Sequence, residues 1–227
     1  MMLALSGGKD SLACCDLLMR CGAFSRVEAF AMYLVPGLEC FEVPVMRAAE
    51  RFGIPVHFVP HWDNARLLKH AVLRPHIKNA PKIRLQRAKD VQLALTARTS
   101  IRWFCYGEKG ADSYARLFFT RHEDGVRVSQ GRLYAIRDWK DSDVLAYLKA
   151  RKIPPPRRLS TRKAQGISLE PETLASMKKH YPNDYRKVLE AFPFAEGVVW
   201  RWERGDFEKG RSDGSEKEGS GEAESDE

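Results

Sequence analysis

No stretch of this 227-residue chain approaches the roughly twenty consecutive apolar residues that a membrane-spanning helix needs. The opening residues, MMLALSGGKDS, carry neither a basic cluster nor a long apolar run. No secretory leader is expected, and the reading is of a cytoplasmic protein. Cysteine is scarce and unpatterned: Cys14, Cys15, Cys21, Cys40 and Cys105 contain no CxxC, and none follows Cys105. That spacing excludes zinc ribbons, thioredoxin-like motifs and bacterial-type iron–sulfur runs, so no iron–sulfur cluster is expected. Adjacent residues on a helix point about 100° apart, so Cys14 and Cys15 share no face. They read as small buried apolar residues. There is no internal repeat.

Charge is plentiful and uneven. Residues 205–227 hold nine acidic and three basic side chains, whereas residues 1–204 hold 35 basic and 21 acidic, a net of +14. A body that basic expects a polyanion, for which nucleotide phosphates suffice and nucleic acid is a second candidate; a solvated basic surface is the plain alternative. The tail has one aromatic and no aliphatic residue larger than alanine. It cannot bury enough to offset its ordering entropy and is expected to be disordered.

Between these limits the pattern alternates. Residues 2–5, 27–34 and 54–59 read as buried strands, and 10–21 and 39–52 as helices, the second of which can begin as late as Pro44. Residues 64–73 and 83–99 look helical, 102–106 and 132–136 strand-like, 111–119 helical, and 125–130 like a hairpin arm. Asp138 or Asp141 is a candidate cap for a helix running to Arg151, which the prolines after Ile153 break. Residues 171–180 and 183–192 form a C-terminal helical pair. The expected fold class is α/β: a doubly wound parallel sheet with a small helical C-terminal region. The expected division is a nucleotide-binding domain over 1–160, a helical extension over 161–204 packing on it, and the acidic tail over 205–227.

The strongest local signal is Ser6-Gly7-Gly8-Lys9-Asp10-Ser11 between the first strand and the first helix. Two glycines permit a tight turn with N–H groups facing an anion, and the helix start adds unpaired N–H groups and a positive dipole end. Ser6 and Ser11 supply hydroxyls and Lys9 a point charge. Asp10 does not favour bare phosphate; it either holds a magnesium ion bridging phosphates or caps the helix. The spacing is neither a Walker A loop nor G-x-G-x-x-G, so a dinucleotide fold has no support.

SGGKDS resembles the PP-loop of the adenine nucleotide α-hydrolases, also called N-type ATP pyrophosphatases. Within that superfamily the chain most resembles the phosphoadenosine phosphosulfate reductase family, which includes the small subunit of bacterial ATP sulfurylase and DNA-phosphorothioation enzymes. Residues 107–116, GEKGADSYAR, resemble that family's G-x-R-x-x-E/D-S-x-x-R element. Residues 133–144, LYAIRDWKDSDV, resemble its Y-P-I-x-x-W-x-x-x-D-V segment. The resemblance covers about residues 2–160. It implies ATP and Mg2+ as cofactors, with the nucleotide bound by Ser6, Gly7, Gly8, Lys9, Asp10, Ser11, Gly107 and Ser113. Lys9, Lys109 and Arg116 would neutralise charge, and Asp10 would hold the metal. The implied chemistry is attack of an acceptor on the α-phosphorus with release of pyrophosphate; an anionic acceptor, sulfate or nucleic acid, is a candidate, a small carboxylate stays open, and a partner subunit is conceivable.

The departures are specific. Reductases of the family attack sulfur with a C-terminal cysteine, absent here, which argues against a reductase proper. Lys109 stands where relatives have arginine, converting a fork of donors into a point charge. The second strand ends in Val35-Pro36-Gly37-Leu38-Glu39 where the family has Asp-Thr-Gly, and Glu39 reads as a helix-start carboxylate. Residues 74–89 and 151–163 form two further basic sets, either of which could clamp an acceptor. Tyr134 and Trp139 could stack on a base, with Trp139 better read as core. A non-catalytic nucleotide- or nucleic-acid-binding module is the alternative from another class.

Overall fold

A computed structural model describes residues 1–120, 122–154 and 168–206. The last four predicted cations of the 151–163 set, Pro155 and Pro156, residues 161–167 and the tail from 207 lie outside the described residues.

Six short strands form one sheet: β1 (Met2–Ala4), β2 (Glu28–Tyr33), β3 (Val56–Pro60), β4 (Phe104–Cys105), β5 (Val126–Arg127) and β6 (Arg132–Leu133). Their order is β3-β2-β1-β4-β6-β5, parallel throughout except for β5, which runs antiparallel to β6. The chain winds outward from β1 through β2 to β3, then returns to place β4 on the other flank of β1. The carboxyl ends of β1 and β4 therefore meet at a switch point, where adjoining loops diverge and leave a crevice.

Alternation along β1 sends Leu3 and Leu5 to one face and Met2 and Ala4 to the other. On the first face pack α1 (Lys9–Cys21), α2 (Glu39–Phe52) and, through Val144 and Leu148, α6 (Asp141–Ala150). The second face is covered through Val91 and Leu95 of α4 (Ala88–Thr99), against Met2, Phe30 and Phe104. Helices on both faces make the sheet doubly wound, as expected from the alternating pattern. Cys14, Cys15 and Cys105 are fully buried; Cys21, at the end of α1, is exposed.

Three C-terminal helices, α7 (Pro171–His180), α8 (Pro182–Ala191) and α9 (Ala195–Glu203), share the first face's core through Leu174, Met177, Val188 and Val199. The sequence pattern marks only the first two; the glycine and charged residues of AEGVVWRWE blur the short apolar stripe of α9. Asp184, 1% exposed, accepts the N–H groups of Glu39 at 3.0 Å and Cys40 at 2.8 Å. A side chain 145 positions away thus caps α2, so that helix begins at Glu39 and carries Pro44 inside it. Lys187 donates to the Gly37 carbonyl, and Glu42 accepts the Gly37 N–H at 2.6 Å, clamping the turn after β2. Replacing Asp184 with alanine leaves two N–H groups at a buried helix start without that acceptor. Urea unfolding is expected to show a loss of about 1–3 kcal/mol; a change below about 0.5 would show that solvent reaches them.

Other boundaries shift for local reasons. Asp90 accepts the Arg87 N–H at 2.8 Å, so α4 starts at Ala88 rather than 83. A short helix, α3 (Asn64–Lys69), ends where Ala71 and Leu73 take positive φ, before the predicted end at 73. The predicted hairpin arm is two residues of β5 followed by a 3-10 turn, Val128–Gln130. No helix among the described residues is long and apolar enough to cross a membrane.

Candidate functional site

The loop after β1 has the shape its glycines suggest. Gly7 sits at φ +71, where a side chain is strained, and a Cβ there would come within 3.1 Å of the Pro44 ring of α2. Gly8 is the extended N-cap of α1 and makes no side-chain cap. Its N–H is held by Ser6 Oγ at 3.3 Å, and its carbonyl accepts from Ser11 Oγ at 2.9 Å. The first-turn N–H groups of Lys9, Asp10 and Ser11 have no acceptor within the helix and face the crevice end of the sheet.

The loop after β4 is pressed against this turn. A Cβ on Gly107 would lie 3.1 Å from the Asp10 carbonyl carbon and 3.3 Å from its Cβ. Lys109, two residues on, is 1% exposed and donates to Asp10 Oδ1 at 2.8 Å. It also reaches Asp112 at 3.2 Å and Asp141 at 3.3 Å. Lys9 Nζ lies 2.7 Å from Asp10 and 3.0 Å from Asp141. Arg116, on α5 (Tyr114–Thr120), donates to Asp112 at 2.8 Å.

Four of the sequence-derived residues, Lys9, Asp10, Lys109 and Arg116, are therefore linked through shared carboxylates at the switch point. Gly107 is there to let the two loops touch. Ser113 serves as the cap of α5, its Oγ accepting the Arg116 N–H at 3.2 Å. Ser6 is exposed and Ser11 buried, with hydroxyls 3.3 Å apart.

Asp141 is the residue that sequence reasoning places elsewhere. The pattern before α6 suggests Asp138 or Asp141 as its cap; neither is. Asp143 accepts the Lys140 N–H at 2.7 Å, and Asp138 pairs with Arg137. Asp141 is freed to face the lysines because Gly110 donates to the Arg137 carbonyl at 2.8 Å. That bond runs the loops after β4 and β6 side by side.

Three cations and three carboxylates compose the cluster, so it carries no net charge. Burial alone would raise Asp112 and Asp141, but Lys109 with Arg116, and Lys9 with Lys109, hold them below the ordinary 3.8. Burial would lower Lys109, yet Asp10 and Asp112 hold it above its ordinary 10.5. Asp112, Asp141 and Lys109 are thus charged at neutral pH.

The other candidates are placed elsewhere. Tyr134 is 4% exposed, its ring 6.2 Å from Tyr106, so it offers no open face. Trp139 packs on the core with its ring 5.1 Å from Tyr147. Arg151 is held by Asp16 at 2.8 Å, pinning α6 to α1. Thiols do not compete as nucleophiles. Burial pushes Cys15 up to about 12, and burial with Asp184 raises Cys40 further. Cys14 is raised by its bond to Cys105 and by burial. Cys21 lies at the far end of α1, about 18 Å from the loop.

No protein-family model matches this sequence. No curated protein matches it either. Among solved structures, it is similar to the U34-tRNA thiolase NcsA from Methanococcus maripaludis, with 12% identity over 87% of this chain and 71% of that one, and a TM-score of 0.47. It is similar to the NH3-dependent NAD synthetase from Campylobacter jejuni, at 14% identity over 91% of this chain and 85% of that one, TM-score 0.45. A predicted subunit of tRNA methyltransferase from Methanocaldococcus jannaschii gives 15% identity over 81% of this chain and 90% of that one, TM-score 0.40. The strand order and crossovers make this chain an α/β protein with a doubly wound, mostly parallel sheet and a glycine loop at its switch point.

Proposed function

We propose that this chain, as a member of the phosphoadenosine phosphosulfate reductase family, binds ATP with magnesium and cleaves it at the α-phosphate. The adenylyl group passes to an acceptor oxygen and pyrophosphate leaves. The observation that carries this reading is the meeting of Lys9, Asp10, Lys109, Arg116 and Asp141 beside a glycine turn at a helix start.

The donor set fits a magnesium ion. Asp10 and Asp141 engage the same two amines, so their carboxylates adjoin, and a hard cation takes such oxygens together with phosphate and water. Groups of three or more histidines, cysteines or carboxylates suited to a metal are absent among the described residues, so the protein would supply only one or two ligands. Bound there, the ion would neutralise charge across the phosphates.

The chain's own residues do the rest. The N–H groups of the first turn of α1 receive the β- and γ-phosphates. Lys9 and Lys109 exchange carboxylate for phosphate oxygens as nucleotide enters. Arg116 stands one residue pair behind, tied through Asp112 to Lys109. The acceptor oxygen forms a bond to the α-phosphorus as the bridge to the β-phosphate breaks, its electron pair leaving on pyrophosphate and the acceptor's proton passing to solvent. This step needs position and charge neutralisation, not a protein nucleophile.

Incubation with α-labelled ATP and magnesium, with and without sulfate or oligonucleotide, is expected to yield AMP or an adenylyl conjugate together with pyrophosphate. ADP and orthophosphate as products would overturn the reading. Thioredoxin-dependent sulfite release from phosphoadenosine phosphosulfate would restore the reductase.

A further inference from the structure

Residues 74–89 hold six lysines and arginines and no carboxylate. Lys78, Lys82, Arg84, Arg87 and Lys89 are all exposed, and among the described residues none of the five side chains forms an ion pair with a carboxylate. By contrast Lys9, Arg66, Arg151 and Lys178 each lie within 2.8 Å of a carboxylate. Five unmatched charges within twelve residues repel one another, and a polyanion relieves that repulsion.

The segment is built into the fold. Ala80 is buried, Lys69 donates to the Ile83 carbonyl at 3.2 Å, and Phe194 donates its N–H to Leu73 at 2.9 Å. It runs from the carboxyl end of β3 to the first turn of α4, which packs antiparallel to the strands. The cations thus border the same edge of the sheet as the phosphate loop. Residues 82–87 span up to about 17 Å if extended, enough for several phosphates of one strand.

A second feature borders that edge. Helix α5 leaves the loop that carries Lys109, and its Leu117 side faces Gly110. Tyr114, the first residue of that helix, is 92% exposed. An exposed aromatic ring at the edge that carries the cations suits a stacked base, which a duplex keeps hidden and an acidic peptide lacks.

We propose that residues 74–89 and Tyr114 form a binding surface for single-stranded nucleic acid. As a binding surface it stands by itself; that the bound strand also supplies the acceptor oxygen rests on the adenylyl-transfer reading above.

The test is fluorescence anisotropy of the full chain with labelled single-stranded RNA, single-stranded DNA and duplex of about 12 nucleotides. Affinity for single strands is expected to fall with salt, with a log–log slope near −3.5 if all five cations engage phosphate. Arg84→Ala with Arg87→Ala should make that slope shallower by about 1.4. Tyr114→Ala should weaken single-strand binding about tenfold and leave duplex binding and ATP binding unchanged. The RNA and DNA arms name the strand. Asp10→Asn should lose ATP turnover yet keep the strand, so failure of one reading is separable from failure of the other. Equal binding of duplex and single strand, indifferent to Tyr114, would reduce the surface to ordinary positive charge and overturn the proposal; so would no binding, or a slope unchanged in the arginine pair.

Discussion

Asparagine in place of Asp10 is expected to lower kcat/KM for magnesium-dependent pyrophosphate release by about 100-fold or more. The substitution keeps shape and removes charge. Lys109 retains Asp112 and Asp141, and Lys9 retains Asp141, so the ligand-free fold has little reason to weaken. The loss should reside in the charge balance around the phosphates, equivalent to roughly 2.7 kcal/mol of transition-state stabilisation. Chelating magnesium from the native protein should act in the same direction, because an unaccompanied triphosphate meets a neutral cluster whose amines are already engaged. Asp141→Asn should raise the magnesium requirement more than it lowers kcat. Full turnover in Asp10→Asn would show that this carboxylate merely orders the helix start.

Lys109→Met carries the second large effect, on stability and turnover together. Lys109 is 1% exposed and touches three carboxylates. Removing it leaves Asp112, 12% exposed, with Arg116 as its partner and Asp10 with Lys9. Breaking a buried ion pair on one side costs about 3–5 kcal/mol; Asp10 is 29% exposed, so about 2–4 is expected here. The pH dependence has a definite sign. Asp112 and Asp141 titrate below 3.8 in the folded chain, so their contribution is present above that value and lost as pH falls through the depressed values. Lys109 titrates above 10.5, so its contribution is present below that value and lost as pH rises through the raised one. The stability gap between native and Lys109→Met chains should therefore narrow in acid below about 3.8. Urea unfolding at a series of pH values measures it. A gap that stays constant through the acid limb would mean that Lys109 stabilises through packing and not through its charge.

Much of this site is local and so legible along the chain. A short apolar strand, two glycines and an amphipathic helix start are consecutive, and Gly7 at φ +71 is a property of five or six neighbouring residues. Lys109 and Arg116 are legible for a weaker reason, through a patterned segment that says they matter without saying what they touch. Asp141 is not legible as a site residue. It is 132 positions from Lys9, and next to Trp139 and Asp143 it has the composition of an ordinary helix start. Likewise β4, β5 and β6 are two residues each, too short for periodicity to locate their ends.

The sequence by itself determined the α/β alternation, the glycine turn between the first strand and the first helix, the lack of cysteine between Cys105 and residue 227 and the excess of cations over residues 74–89. These depend on neighbouring residues or on counting. Only the tertiary structure decided that Asp143 caps α6 and Asp141 joins the lysines, that Asp184 caps α2 from 145 positions away, and that Lys109 is buried among carboxylates. Each of those outcomes is a choice among equivalent charged side chains. The choice follows from which loops the sheet order brings together at one edge, and local composition does not encode that.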